Sequence, residues 1–193
     1  MMAKRLLDII ISAIALMALA PVLAVCALLV RRGSPGPVLY SQLRLGLYGR
    51  PFRLWKFRTM HAGAPDVRNA DGSAFTGDHD PRVTPAGRFL RTTSLDELPQ
   101  LWNVLRGDMS LVGPRPDQVD QRRFYTESEK RKLNVKPGLT GLAQINGRNE
   151  IPWESRKALD VEYVEHRSMW LDLRILGKTI PYVCLRKNIH SRA

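Results

Sequence analysis

Asp96 and Glu97 adjoin each other in the run Arg91-Thr92-Thr93-Ser94-Leu95-Asp96-Glu97-Leu98-Pro99-Gln100. An ionised aspartate can attack phosphorus and form an acyl phosphate, an attested form of covalent catalysis. Cations accompany the pair: Arg88, Arg91, Arg115 and Arg148 sit in or beside segments broken by glycine or proline, and Lys56-Phe57-Arg58 adds two more at the end of an apolar strand. Guanidinium groups bind phosphate through paired hydrogen bonds, so a carboxylate nucleophile among such cations suits a diphosphate ligand. A plainer reading competes. Ser94 and Glu97 have the spacing of a capping box, and each arginine taken alone is a solvated surface charge. Against the box, Pro99 would fall at the fifth helical position and clash with the carbonyl of Leu95. A regular helix beginning near Pro99 is the better expectation, with both carboxylates just before its positive end, where anions are favoured. Spacing alone leaves both readings open.

The elements that must hold these side chains are short. Val38–Gln42 and Phe52–Phe57 read as strands around a Gly46–Pro51 loop. The polar stretch from His61 to Asp80 is long enough to be a mobile lid or binding loop. Thr84-Pro85 has the form of an N-cap with proline at the first helical position, opening a helix to about Arg91. A second helix is expected from Pro99 to Arg106, with Gly107 as its C-terminal stop. Leu111-Val112-Gly113-Pro114-Arg115-Pro116 is too interrupted for a long helix. Thr126-Glu127-Ser128-Glu129 matches a capping box. Lys136-Pro137-Gly138 and Asn146-Gly147 are turns, and Ala143–Ile145 reads as a short strand. Trp153–His166 reads as a helix. Met169–Leu185, with Trp170, Leu173, Leu176, Ile180 and Val183, lies on a bilayer surface or in a core.

The N-terminus carries an apolar stretch, Ile9 to Val30, between Lys4-Arg5 and Arg31-Arg32. Crossing a bilayer takes about 20 apolar residues, but basic residues favour the cytoplasmic side, and one crossing would strand one pair. Pro21 resolves this by kinking the helix, so that it enters, turns near Ala20-Pro21 and returns to the same face. A straight single-pass helix, a cleaved signal peptide and a buried core helix are the alternatives. The signal peptide fits least, since such apolar regions run to about 7–15 residues. Asp8 suits any of them as a first-turn residue. Arg31 to Pro37 is a hinge rich in glycine and proline.

Beyond the first ~33 residues, the chain of 193 has enough length for one globular domain. The formal net charge of +12 favours anionic partners: nucleic acid, acidic lipid or phosphorylated substrates. Nucleic acid is not expected, because zinc-finger spacing, a basic zipper and an RNA-recognition signature are all missing from the sequence. Cys26 and Cys184 have no metal-ligand spacing. His61, His79, His166 and His190 are scattered and read as surface or capping residues.

Four runs stand out together: Trp55-Lys56-Phe57-Arg58-Thr59-Met60, Thr93 to Leu105, Gly107-Asp108-Met109-Ser110-Leu111-Val112-Gly113-Pro114-Arg115-Pro116, and Lys136 to Arg148. On these runs, which occur in order over nearly the whole chain, the protein resembles the bacterial sugar transferases. These include the small monotopic phosphoglycosyl transferases typified by the bacillosamine enzyme of protein N-glycosylation. The resemblance implies transfer of a sugar-1-phosphate from a UDP-sugar to polyprenyl (undecaprenyl) phosphate with release of UMP, the first membrane step of glycoconjugate biosynthesis. It implies Asp96 as nucleophile on the sugar-bearing β-phosphorus, through an aspartyl-phosphosugar. Glu97 would assist, and Mg²⁺ at Asp96 would screen the diphosphate. Lys56, Arg91, Arg115 and Arg148 would be the phosphate cradle. The implied fold is α+β and mostly helical. Residues 1–33 would be a re-entrant membrane helix broken at Ala20-Pro21, and residues 34–193 a small cytosolic catalytic domain with amphipathic helices on the membrane surface. The implied partners are the donor, the lipid acceptor and membrane lipids, with no nucleic acid, at the cytosolic face of the bacterial inner membrane. Ala20 stands where relatives often carry serine, so the break rests on Pro21. Short forms of the family suggest N-acetylated hexosamines or their deoxy derivatives as the sugar.

Overall fold

The computed structural model describes residues 2–184 except 70, 71, 74, 76, 78, 79, 148 and 149. The apolar stretch forms two helices, α1 (Met2–Ala18) and α2 (Ala20–Gly33), bent by 63° at a break around Leu19. Pro21 lies in the first turn of α2, where its missing N–H and fixed φ are tolerated. The break falls where the proline places it, one residue early. No single described helix is long and apolar enough to cross a membrane, while the bent pair together has the length and composition to do so.

The charges before the stretch have protein partners. Lys4 Nζ donates to the carbonyl of Val112 at 3.0 Å and to Asp172 Oδ2 at 2.6 Å. Arg5 donates to the carbonyls of Val104 and Leu105, at 2.6 and 2.7 Å. Asp8 is buried, and its Oδ1 accepts from Ser110 Oγ at 3.1 Å and the Leu111 N–H at 3.0 Å. The expectation that Asp8 is only a first-turn residue is corrected: burying a carboxylate demands donors, and the distant strand Ser110–Val112 supplies them. The opposite side of the pair is apolar and exposed, with Leu6, Ile10, Ile14, Met17, Val25 and Leu28 uncovered.

A tight antiparallel hairpin follows, β1 (Leu39–Leu45) and β2 (Pro51–Phe57), in the register Tyr40↔Lys56, Gln42↔Leu54, Arg44↔Phe52. The first strand runs three residues beyond the expected Gln42, because Leu43-Arg44-Leu45 pairs with the start of β2. Directly opposed residues share a face, so the register sets Arg44 and Lys56 on one side of the hairpin. Helix α3 (Pro85–Thr92) opens on Thr84, whose Oγ1 accepts from the Gly87 N–H at 2.9 Å. A Cβ on Gly87 would meet the Thr59 carbonyl oxygen at 1.9 Å, so α3 packs on the end of the hairpin only because the residue is glycine.

Leu95–Glu97 forms a single 3-10 turn, and α4 (Gln100–Arg106) begins after Pro99 and ends at Gly107, whose φ of 96° is left-handed. The Asn103 side chain bridges α4 to β2: its Oδ1 accepts from the Trp55 N–H at 3.0 Å, and its Nδ2 donates to the Arg53 carbonyl at 2.8 Å.

Strands β3 (Ser110–Val112) and β4 (Gly138–Thr140) pair in parallel. The Thr126 capping box forms, but it opens a 3-10 segment, Glu129–Asn134. The expected strand Ala143–Ile145 is instead one helical turn, α5 (Leu142–Ile145), because four residues after Gly141 close an i→i−4 bond before any strand partner is reached. Helices α6 (Trp153–His166) and α7 (Met169–Cys184) complete the fold. In α7, Ile175 is fully buried in the main core with Val104, Met109 and Val112, while Trp170, Leu173 and Ile180 face outward. One face of this helix is thus core, as one of the two expectations had it, and the other is apolar and exposed. The described architecture is mixed α and β, mainly helical, with two two-stranded sheets.

Candidate active site

Ser94 adopts a left-handed φ of 56° and makes no side-chain cap to the turn it precedes. The capping-box reading of Ser94–Glu97 therefore fails. The 3-10 turn that follows buries Asp96, at 8% exposure, and sends the Glu97 carboxylate to Arg115. With α4 only seven residues long, the setting of the carboxylates is governed by the neighbouring cations rather than by the helix end.

Three of the expected cations converge on the pair. Arg115 Nη2 donates to Glu97 Oε1 at 2.8 Å, and this attraction raises the guanidinium pKa still further, with Asp96 adding to it. Arg115 is aimed by its backbone. Gly113 and Gly138 pass so closely that a Cβ on Gly138 would lie 2.1 Å from the Gly113 nitrogen, while the Gly138 N–H donates to the Pro114 carbonyl at 2.8 Å. Arg91 Nε donates to Thr59 Oγ1 at 2.9 Å; burial lowers its pKa, and Asp96 and Asp80 partly offset this. Lys56 is half-buried, with Nζ 5.4 Å from the Tyr40 ring centroid. Burial pulls its pKa down to about 8; Asp96 and Glu97 oppose the fall, while Arg44 and Arg91 deepen it.

The remaining expectations divide. Arg148 lies outside the described residues. Arg88 is exposed on α3. Arg58 is not a phosphate cation: it is buried and clamps the hinge, donating to Ser34 Oγ at 2.6 Å, the Ser34 carbonyl at 2.9 Å and the Pro37 carbonyl at 2.6 Å. The long loop after His61 is tied at its far end, where the buried Asp80 carboxylate takes three bonds from the Arg82 side chain and one from its backbone N–H. His61 and His166 are exposed, as expected; His79 and His190 lie outside the described residues.

Arg44 is the site residue that the sequence did not announce. It sits in β1 on the same face as Lys56, and burial lowers its pKa to about 10, with Arg115 contributing. Its Nη2 donates to Gln42 Oε1 at 2.8 Å, and its Nε is buried without a hydrogen-bond partner. In the sequence it alternates with Tyr40 and Gln42 on the polar side of the strand, with Leu39, Leu43 and Leu45 on the other, so the pattern reads it as an ordinary surface charge.

Burial lowers the pKa of Lys56, Arg91 and Arg44, so each is a desolvated cation whose charge an anionic partner would steady. Such a site favours an anion. Among the described residues, no cluster of three or more His, Cys, Asp or Glu could hold a metal. Mg²⁺, however, commonly binds through one or two carboxylates and the substrate's phosphates, and the adjoining Asp96 and Glu97 suit an ion that arrives with a diphosphate.

The family model for bacterial sugar transferases matches residues 1–186. The chain belongs to that family. It is 45% identical to the sugar transferase EpsL of Bacillus subtilis, over 99% of this chain and 92% of that protein. It is 41% identical to the exopolysaccharide production protein ExoY of Rhizobium meliloti, over 96% of this chain and 87% of that one. It is also 44% identical to the UDP-glucose:undecaprenyl-phosphate glucose-1-phosphate transferase of Escherichia coli, where 92% of this chain matches but only 39% of the longer protein is covered. As a bacterial sugar transferase, the chain is a transferase enzyme, and its matched region spans both carboxylates and the cations around them.

Proposed function

We propose that this bacterial sugar transferase moves a hexose-1-phosphate from a UDP-hexose to undecaprenyl phosphate, releasing UMP, as an opening step of polysaccharide biosynthesis. The observation that carries this reading is a buried carboxylate, Asp96, in the field of Lys56, Arg91 and Arg115. The names of relatives that act on UDP-glucose and undecaprenyl phosphate support the choice of donor and acceptor.

In the first step an Asp96 carboxylate oxygen attacks the β-phosphorus. The bond from that phosphorus to the bridging oxygen breaks, its electron pair leaves on UMP, and an aspartyl-phosphosugar remains. In the second step a phosphate oxygen of the lipid attacks the same phosphorus, and the acyl–phosphate bond breaks to return the Asp96 carboxylate. Lys56, Arg91 and Arg115 stabilise the charge that develops on the transferring oxygens, the main source of rate in phosphoryl transfer. Glu97 orients Arg115 and takes a proton from the lipid phosphate when that group is protonated. Mg²⁺ held at Asp96 and Glu97 would screen the diphosphate and ease departure of UMP.

The proposed setting is the cytosolic face of the bacterial inner membrane, with residues 1–33 as a re-entrant hairpin and residues 34–193 as the catalytic domain. The uncovered apolar faces of α1, α2 and α7 support it, Trp170 suiting the interfacial zone. The test is UMP release from UDP-glucose, UDP-galactose and UDP-N-acetylglucosamine with undecaprenyl phosphate. Asp96→Asn should abolish release, and single-turnover trapping should place the donor-derived mass on Asp96. Full turnover by that variant would sink the mechanism.

A further inference from the structure

The hairpin of β1 and β2 has two unlike ends. Its open end lies against α2: Phe57 is buried in one cluster with Cys26 and Val30 of α2, and Val38, just before β1, packs on that cluster. Its closed end lies away from α2, where Leu45 is buried with Tyr125, Leu133 and Trp153. Leu95, the residue before Asp96, also packs on the α2 cluster. The turn that carries the proposed nucleophile is thus moored to the N-terminal helices, at the open end of the hairpin.

Tyr40 stands at that same end. The register sets it directly opposite Lys56, on the face that also carries Arg44. Lys56 Nζ lies 5.4 Å from its ring centroid, and the residue is 42% exposed. A cation over an exposed ring is worth about 0.5–1 kcal/mol. That accounts for the contact and still leaves much of the ring open beside a cation of the site.

We infer that Tyr40 receives the first isoprene unit of the lipid acceptor, while Lys56 meets the phosphate to which that unit is joined. The inference rests on the proposed transfer reaction and assigns one side of the site to one of its two substrates. The chemistry of the acceptor matches the pair. A polyprenyl phosphate is an anion joined to a hydrocarbon chain through a single oxygen, so it needs a cation with apolar surface beside it. The donor phosphorus is flanked by a hexose and by UMP, both polar. Position favours the same substrate. The lipid chain must leave toward the uncovered apolar faces of α1 and α2, and Tyr40 is at the α2 end of the hairpin. Arg44 lies four residues nearer the closed end, about 13 Å along the strand, which leaves it for the nucleotide. Because the two steps follow one another, Lys56 serves the donor in the first and the lipid phosphate in the second.

Successive steps also make the inference separable by experiment. The unaltered enzyme, Tyr40→Thr and Tyr40→Phe are compared in nanodiscs of phosphatidylethanolamine and phosphatidylglycerol. The donor is whichever of UDP-glucose, UDP-galactose and UDP-N-acetylglucosamine the unaltered enzyme uses best. Tyr40→Thr removes the ring with a residue suited to strands. It should lower kcat/KM for undecaprenyl phosphate at least tenfold, as loss of an apolar contact to one isoprene unit requires. Its donor kcat/KM and its thermal shift with UDP should stay within threefold and unchanged, respectively, which also shows that it is folded. Tyr40→Phe keeps the ring and should stay within threefold for both substrates. A parallel fall in donor kcat/KM would mark Tyr40 as a platform for the sugar or base and overturn the assignment. Equal losses in Tyr40→Phe and Tyr40→Thr would mark a hydroxyl contact and overturn the stacking of the ring on the lipid. Unchanged acceptor kcat/KM in Tyr40→Thr would overturn the acceptor contact and leave the transfer reaction standing. Absence of UMP release by the unaltered enzyme from every donor would overturn the transfer reaction and the acceptor contact with it.

Discussion

Arg115 and Glu97 meet at 2.8 Å although 18 residues separate them, joining the loop after β3 to the 3-10 turn that carries Asp96. The bond sets the position of a cation against the proposed nucleophile, and it does so at modest energetic gain. The Arg115 side chain is 40% exposed, and ion pairs so open to solvent contribute about 0–1 kcal/mol. Glu97→Gln should therefore lower UMP release by about 10²-fold, the loss typical of one disturbed charge-stabilising group, with a thermal shift equivalent to under about 1 kcal/mol. Glu97→Gln and Arg115→Gln should be non-additive in a double-mutant cycle; strict additivity would separate the two residues functionally.

Lys56 should give the enzyme an alkaline limit. Its pKa in the folded chain is pulled down to about 8 by burial, below the ordinary lysine range. The unfolded chain thus holds a proton that the folded chain gives up between about pH 8 and 10.5, so this group's contribution to stability improves as pH rises through that window. Below pH 8 its charge opposes folding. Lys56→Met should accordingly stabilise the protein near pH 7 by about 1–2 kcal/mol, discounted for partial exposure, while weakening donor binding. Unaltered enzyme should show donor KM rising above pH 8, and Lys56→Arg should not. A KM flat to pH 9.5 in the unaltered enzyme would remove Lys56 from the phosphate cradle.

Arg44 is predicted to bind phosphate beside Lys56. A nucleotide at about 100 times its Kd should stabilise the unaltered protein by about 2.7 kcal/mol. With UDP as the ligand, Arg44→Met should lose most of that thermal shift and raise donor KM about tenfold or more. Equal UDP-induced shifts in both proteins would confine Arg44 to holding Gln42.

Asn103 is a structural prediction. Its amide satisfies the β2 backbone at Trp55 and Arg53 from a site 1% exposed. Asn103→Ala leaves those buried groups unmatched and should cost about 2–4 kcal/mol, read by thermal unfolding, with UMP release per folded molecule changed far less than in Asp96→Asn.

Topology is testable from the exposed ends of the bent pair. In a Cys26→Ala, Cys184→Ser background, Met2→Cys and Pro35→Cys should both resist an impermeant thiol reagent added outside intact cells and react after lysis. Ser34 is unsuitable, because it is buried under Arg58. Labelling at one end only would establish a spanning segment in place of a hairpin.

Residue pattern carried much of this protein. Pro21 located the bend to within a residue, Thr84-Pro85 and Gly107 bounded their helices, and Trp153–His166 emerged with the ends read from the sequence. The Asp96-Glu97 pair and the cations Lys56, Arg91 and Arg115 were legible because charged groups among glycines and prolines are conspicuous. The failures share one cause. Asp8, read as a first-turn residue, is buried on donors from Ser110 and Leu111; Arg58, read among the cations for phosphate, holds the hinge; Ala143–Ile145 turns as a helix; Arg44 went unnoticed.

Local rules of backbone and periodicity act over a few residues, so the chain by itself determined where it bends, caps and turns, and which family's motifs it bears. What a cation neutralises is decided by whichever acceptor packing brings near, and that acceptor lies 18 residues away for Arg115, 24 for Arg58 and about 100 for Arg5. Only tertiary structure could therefore sort the arginines into clamps and candidate ligands.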